Sequence, residues 1–229
     1  MTEPPTPAEP KRIAVLASGE GSTLQAIIDA CRTGQLRASL VGVFSDRPSA
    51  RALHRAQAAG IATTALSPRD FPTRLAFDQT LFAAVDASRP DLIVLAGYLR
   101  VIAAEIVRPR IPRMINLHPS LLPKHPGLNT HARALAAGDS THGASVHVVT
   151  PELDAGPVLA QVRLPVHPDD TAATLEQRVK AREKPLLIAS LDLLVDGRLA
   201  TGADGGSLDG VRLSAPLLLN DSNRLVTAP

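Results

Sequence analysis

Two short, unbroken apolar runs constrain the fold of this 229-residue chain more than any other feature: residues 13–17 (Ile-Ala-Val-Leu-Ala) and 92–96 (Leu-Ile-Val-Leu-Ala). A strand with one wet face alternates polar and apolar residues. A strand covered on both faces does not, so runs of this kind indicate a parallel sheet sandwiched between helices. Each run ends in a glycine turn, Ser18-Gly19-Glu20-Gly21-Ser22-Thr23 after the first and Gly97-Tyr98-Leu99-Arg100 after the second. Between them the pattern predicts a helix with Leu24, Ile27, Ile28 and Cys31 on one face, then a strand over 39–44. A helix over 50–59 stopped by Gly60, a short strand over 61–66 and a helix over 74–88 follow. Alternating β and α elements with short connections define a doubly wound α/β sheet. Such sheets bind ligands at the C-terminal ends of their strands. The Gly21 loop, the 97–102 turn and the 116–120 stretch are therefore expected to open on one edge.

The chemistry concentrates in residues 115–123 (Ile-Asn-Leu-His-Pro-Ser-Leu-Leu-Pro). Residues two apart on a strand face the same way, so Asn116 and His118 can reach into one cavity from a strand end, and Pro119 stops the ladder. Some thirty-odd positions on, Glu152-Leu153-Asp154-Ala155-Gly156-Pro157 offers a carboxylate in a turn-like setting. An amide, an imidazole and a carboxylate together can stabilise an oxyanion and move a proton. The residues 18–23 leave two readings open: a phosphate cradle at a helix N-terminus, or a tight turn with a Ser/Thr cap. They match neither the dinucleotide fingerprint, because residue 24 is Leu, nor a Walker loop, because no Gly-Lys-Ser/Thr follows.

Further along, the spacing predicts short helices over 103–107 and 131–137 and strands over 144–149 and 158–166. Those two strands are neighbours without a helix between them, so the sheet turns mixed on its C-terminal side. His147 shares a face with Ser145 and either lines the pocket or packs beneath it. A long helix over 171–194 contains Pro185, which is expected to kink or break it. Residues 208–213 read as a hairpin. Residues 11–213 are expected to form one domain, with a βαβ half over 11–100 and a second half over 101–213. Residues 1–10, with four prolines, read as a disordered tail, and 214–229 as loosely held.

Composition excludes several classes. A net charge of +2 with basic and acidic residues interspersed, and only 2% aromatic residues, argues against a nucleic-acid-binding surface. The single cysteine, Cys31, excludes an intramolecular disulfide and a cysteine-based zinc cluster, and its apolar neighbours suit a buried helix position. No signal-peptide pattern or membrane-length apolar run occurs, so a cytoplasmic protein without membrane partners is expected.

Taken together, Ser18–Gly–Glu–Gly–Ser–Thr–Leu–Gln25, Ala96–Gly–Tyr–Leu–Arg100, the Asn-Leu-His-Pro-Ser-Leu-Leu-Pro core, and His142–Gly–Ala–Ser–Val–His147 through Pro157 resemble the phosphoribosylglycinamide formyltransferases of the formyltransferase superfamily. The likeness runs over residues 11–213 with the motifs in order. It implies a Rossmann-like, mostly parallel twisted sheet with helices on both faces. It also implies formyl transfer from 10-formyltetrahydrofolate to the amine of phosphoribosylglycinamide in purine synthesis, with no metal, by a monomer or homodimer.

By the same resemblance Asn116, His118 and Asp154 are the catalytic trio. Gly21, Ser22 and Thr23, with Lys180 and Glu183 on the long helix, hold the phosphoribosylglycinamide. The folate lies along Arg74, Leu99, Arg100, Val101, Ile102, Asn116, Thr150, Pro151, Glu152, Leu153 and Asp154. Glu20 departs from what a phosphate loop needs, so its side chain is expected to point to solvent.

Three other activities compete. Methionyl-tRNA formyltransferases share the core but add a C-terminal domain that grips tRNA, for which this sequence offers neither length nor a basic face. Formyltetrahydrofolate deformylases usually add an N-terminal regulatory domain, and the first strand here starts too early for one. A non-catalytic folate- or phosphosugar-binding module would not need the trio.

Overall fold

A computed structural model describes residues 9–202 and 205–228. Apolar runs become the central strands β1 (Lys11–Leu16) and β4 (Leu92–Leu95), and the helical stripes become α1 (Ser22–Arg32), α2 (Arg51–Ala58) and α3 (Arg74–Ala87). With β2 (Ala38–Ser45), β3 (Thr63–Ala65) and β5 (Met114–His118) they complete a parallel block in the order β3-β2-β1-β4-β5. The chain reverses its direction of travel across the sheet between β1 and β4, which is where ligands bind in such folds.

The short helix α4 (Ala104–Val107) lies between β4 and β5. Beyond β5 come α5 (Thr130–Ala136), β6 (Thr141–Val148), β7 (Val158–Pro165) and the long helix α6 (Ala172–Val195). Strand β6 pairs antiparallel with both β5 and β7, so the sheet does turn mixed on this side. The small strands β8 (Leu199–Gly202), β9 (Gly205–Leu208) and β10 (Val211–Arg212) form a separate antiparallel sheet, and the expected hairpin is its β9–β10 turn.

Helices cover both faces. Ile13, Val15, Ile115 and Leu117 pack with Leu24, Ile27, Leu175 and Leu187 on one side. Ala14, Leu16, Ile93 and Met114 pack with Phe77, Leu81, Phe82 and Ile106 on the other. The alternation of strand side chains places Asn116 and His118 on the Met114 side of β5.

Two expectations fail. Helix α6 runs unbroken for 24 residues with Pro185 inside it. The ring forfeits one backbone hydrogen bond, but Leu186, Leu187 and Leu191 beside it are fully buried, and that burial holds the helix together. The C-terminal segment is not loose. Strand β11 (Leu217–Leu219) pairs parallel with β7, and β12 (Leu225–Val226) folds back on it, extending the main sheet to nine strands. Leu217 is fully buried, and the Arg182 guanidinium of α6 donates to the Asn220 carbonyl at 2.7 Å and to Asn223 Oδ1 at 2.9 Å. Of the expected N-terminal tail, residues 1–8 lie outside the described residues; Glu9 and Pro10 are exposed and carry no secondary structure. Cys31 sits in α1, half-buried, and burial raises its thiol pKa.

The tail's role sets a prediction. Leu217→Ala should lower stability by about 2–5 kcal/mol, as for other fully buried leucines, in urea unfolding followed by circular dichroism. A change within about 0.5 kcal/mol, ordinary for surface positions, would return the segment to the loosely held class.

Candidate active site

Register brings the loops together. Leu16 pairs with Leu95 and Leu95 with Asn116, so β1, β4 and β5 end in one row and their following turns leave from the same edge. At that edge the Ser18 N–H donates to the Gly97 carbonyl, and the Ser18 hydroxyl accepts from the Leu99 N–H at 3.1 Å while donating to Asp46 Oδ1 at 2.6 Å. The first glycine loop and the 97–102 turn are thus bonded to each other.

The turn after β5 is fastened by a buried polar network. Ser145 on β6 donates through Oγ to the Ser120 carbonyl at 2.7 Å and accepts from the Leu122 N–H at 3.1 Å. Gln161 on β7 donates to the Leu122 carbonyl at 2.9 Å and to Ser145 Oγ at 3.1 Å. The Ser145 hydroxyl and both backbone groups of Leu122 have partners in it, and such satisfaction makes a buried polar network rigid.

Asn116, His118 and Asp154 converge. His118 Nδ1 lies 3.4 Å from Asp154 Oδ2, with both side chains below a tenth exposed. The other ring nitrogen, Nε2, lies 3.1 Å from the His125 carbonyl. A carbonyl only accepts, so that nitrogen carries a proton. The Gly127 N–H donates to Asp154 Oδ2 at 2.8 Å. Asp154 itself has φ of 51°, a left-handed backbone that Asp tolerates better than most residues.

His147 is buried against Asn116. It stands opposite Asn116 in the β5–β6 pairing, and its Nε2 is 3.1 Å from Asn116 Nδ2. Its Nδ1 faces the Val148 carbonyl at 3.0 Å, so Nδ1 bears the proton, and burial lowers the ring's pKa despite the pull of Asp154. A neutral His147 with Nε2 free accepts one Asn116 N–H and leaves the second for an incoming oxygen. In that tautomer the 3.6 Å approach of Nε2 to Asp154 Oδ1 is not an ion pair.

Gly21 caps α1 with φ of 69°, and a Cβ there would lie 2.6 Å from the Ala52 Cα, so both conformation and space demand glycine. No side chain caps α1: the first helical bond is Gln25 N–H to the Gly21 carbonyl. The Ser/Thr-cap reading is therefore set aside, since no side chain bonds the N–H groups of the first turn. Glu20 does point to solvent, where Arg51 meets it at 3.0 Å, while Arg55 donates to the Glu20 carbonyl at 2.8 Å.

The remaining expected residues are placed less evenly. Leu99, Val101 and Leu153 are exposed at 61%, 49% and 55%. Arg100 lies over the Phe77 ring, Arg74 starts α3 exposed, and Thr150 Oγ1 donates to the Glu152 carbonyl, with Pro151 between them. Ile102 packs into the core, so only its backbone is free to meet a ligand. Lys180 pairs with Glu176 at 3.6 Å on α6, and burial raises the Glu183 pKa against the opposing pull of Lys180. Neither residue bonds to the trio among the described residues. Sequence reasoning missed the His125 carbonyl and the Gly127 amide, because backbone groups leave no side-chain signature. It also missed the pair His131–His142, whose Nδ1 and Nε2 are 3.1 Å apart. Among the described residues no His, Cys, Asp and Glu group could hold a metal ion, and no helix is long and apolar enough to cross a membrane.

The buried histidines carry a pH cost. The His142 pKa falls from 6.5 to about 4, first through burial and then through His131 and His125. Between those values the unfolded chain binds a proton that the folded chain refuses, so stability is full above about 6.5 and declines as pH falls toward 4. His142→Gln should flatten the fall of the urea midpoint over this range; an unchanged slope would contradict the burial argument.

Residues 11–191 match the Formyl transferase family. The phosphoribosylglycinamide formyltransferase of Escherichia coli K12 is 45% identical over 201 residues, covering 88% of this chain and 95% of that one. The human trifunctional purine biosynthetic protein adenosine-3 is 37% identical over 85% of this chain and 19% of its own length. Among solved structures, the phosphoribosylglycinamide formyltransferase of Coxiella burnetii superposes with a TM-score of 0.86 at 47% identity, covering 90% of this chain and 97% of that one. The glycinamide ribonucleotide transformylase 1 of Symbiobacterium toebii gives 0.83 at 37% identity over 88% and 95%. With the family match spanning most of its length and the Escherichia coli and Coxiella burnetii relatives covered almost end to end, the chain belongs to the formyltransferase family.

Proposed function

We infer that the chain transfers a formyl group from 10-formyltetrahydrofolate to the amine of N1-(5-phospho-D-ribosyl)glycinamide, a step of purine synthesis. The observation that carries this reading is the likeness to the Escherichia coli enzyme over 95% of that protein's length. The buried His118, with Asn116 and Asp154 half-buried around it at the sheet edge, supports it. The folate is a co-substrate, and the exposed Leu99, Val101 and Leu153 are apolar surface that a flat ring system can cover.

The reaction asks for three things. The amine's attack turns the formyl carbonyl into an oxyanion, and the second Asn116 N–H is a neutral donor for it. His118, when protonated, adds positive charge beside the same oxygen and can then act as the acid that protonates the tetrahydrofolate nitrogen as its bond to the formyl carbon breaks. Asp154, directly or through a water, collects the proton that leaves the attacking amine. At the other end of the acceptor, the free N–H groups at Ser22 and Thr23, approached through Gly21, hold the phosphate, and Arg51 offsets the Glu20 charge nearby. Lys180 and Glu183 on α6 complete the acceptor site. Arg74, Arg100 and residues 150–154 border the folate. The setting is cytoplasmic and the partners are small molecules.

Asn116→Ala should lower kcat by about 10²–10³, the usual loss for one oxyanion donor, with both KM values within about threefold. Assays run side by side with phosphoribosylglycinamide and with charged initiator tRNA test the acceptor. Transfer to the tRNA alone would contradict the reading.

A further inference from the structure

The loop at residues 124–127 stands behind the trio and touches it twice, both times through its backbone. The His125 carbonyl meets His118 Nε2 at 3.1 Å, and the Gly127 N–H meets Asp154 Oδ2 at 2.8 Å. The first contact fixes which face His118 turns toward Asp154. The second aims the carboxylate. A shift of the loop would disturb both reacting groups at once.

The loop needs holding, because it is not at ease. His125 has φ of 54° and Gly127 has φ of 78°. A non-glycine residue in the left-handed region persists only where its surroundings over-determine it. Here a side chain supplies that grip. His125 Nε2 lies 2.7 Å from Asp139 Oδ2, with the two side chains 13% and 10% exposed. Lys124 Nζ reaches the other oxygen, Oδ1, also at 2.7 Å. Asp139 is itself pinned just past the end of α5, its N–H donating to the Ala134 carbonyl at 3.1 Å. One carboxylate on a helix end therefore grips two consecutive residues of the loop. Ser120 Oγ adds a third tie, donating to the Lys124 carbonyl at 2.7 Å.

We propose that His125 and Asp139 are a positioning pair for formyl transfer, holding the His125 carbonyl on His118 and the Gly127 amide on Asp154. This rests on the reading of Asn116, His118 and Asp154 as the reacting groups. Neither His125 nor Asp139 meets substrate; they act through the two backbone contacts. The groups that face the pair are Lys124 on Asp139, His142 with its ring 6.2 Å from that of His125, and His131 behind His142. With its pKa lowered to about 4, chiefly by burial, His142 adds no charge beside the pair near neutral pH.

The test measures kcat and both KM values, with 10-formyltetrahydrofolate and phosphoribosylglycinamide, for His125→Phe, Asp139→Ala, the double variant, His125→Gln and His118→Ala. His125→Phe and Asp139→Ala should each lower kcat about tenfold or more, with KM within about twofold, as expected when orientation and not binding is lost. The double variant should be no worse than the poorer single one, because the two residues act as a unit. His125→Gln, whose amide still donates to Asp139, should recover kcat to within about threefold of the parent. The acid limb of the kcat–pH profile should move in His125→Phe and return in His125→Gln.

A merely structural role would lower Tm while leaving kcat and the pH profile unchanged at 25 °C, and that result overturns the proposal. If His125→Phe does not fold, Asp139→Ala carries the same comparison. A dead His118→Ala beside an unaffected His125→Phe and Asp139→Ala sinks the pair alone. Parental turnover in His118→Ala sinks the reading of the trio as well.

Discussion

A carboxylate taken out of water costs several kcal/mol unless its surroundings replace the water, and the site is built around one such group. Asp154, with its side chain 9% exposed, accepts the Gly127 N–H and faces the His118 imidazole. Everything else about the site follows from holding that carboxylate in place. The loop from 124 to 127 supplies the amide and, through the His125 carbonyl, the orientation of His118. Strand β6 supplies His147, whose neutral ring turns Asn116 so that one N–H stays free. Gly156 lets the carboxylate-bearing turn lie against β6, since a Cβ there would fall 1.9 Å from the Val148 carbonyl.

Two imidazoles beside one carboxylate take different roles because their partners differ. His118 has acceptors at both nitrogens, a carbonyl and a carboxylate, so it serves as a donor. His147 has an acceptor at Nδ1 and a donor at Nε2, and burial favours its neutral form. The same residue type thus yields a donor at both nitrogens and a ring fixed between an acceptor and a donor, decided by the partners that neighbouring strands and loops supply.

Much of this was legible in the chain. The unbroken runs at 13–17 and 92–96 announced doubly covered parallel strands, and the Asn-x-His spacing announced two side chains on one strand face. The neighbouring strands after residue 144 announced a mixed sheet. Less legible were features set by tertiary packing. Pro185 carries a local signal to break a helix, and the burial of Leu186 and Leu187 overrides it. The triplet of leucines at 217–219 is too short to read as a strand, yet β7 offers it an edge to pair with. Whether His147 lines the site or packs beneath it depended on the β5–β6 register, which no local pattern encodes. The grip of Asp139 on Lys124 and His125 spans up to 15 residues and leaves no periodic trace.

On the proposed function, the Asp154 carboxylate serves the chemical step and not substrate affinity. Single-turnover formyl transfer by Asp154→Asn, measured at saturating concentrations of both substrates, addresses it directly. The account expects the rate to fall by about 10²–10⁴, the range for losing a positioned proton acceptor, while the dissociation constants of both substrates hold. A single-turnover rate near that of the parent, with weaker binding of either substrate, would contradict it.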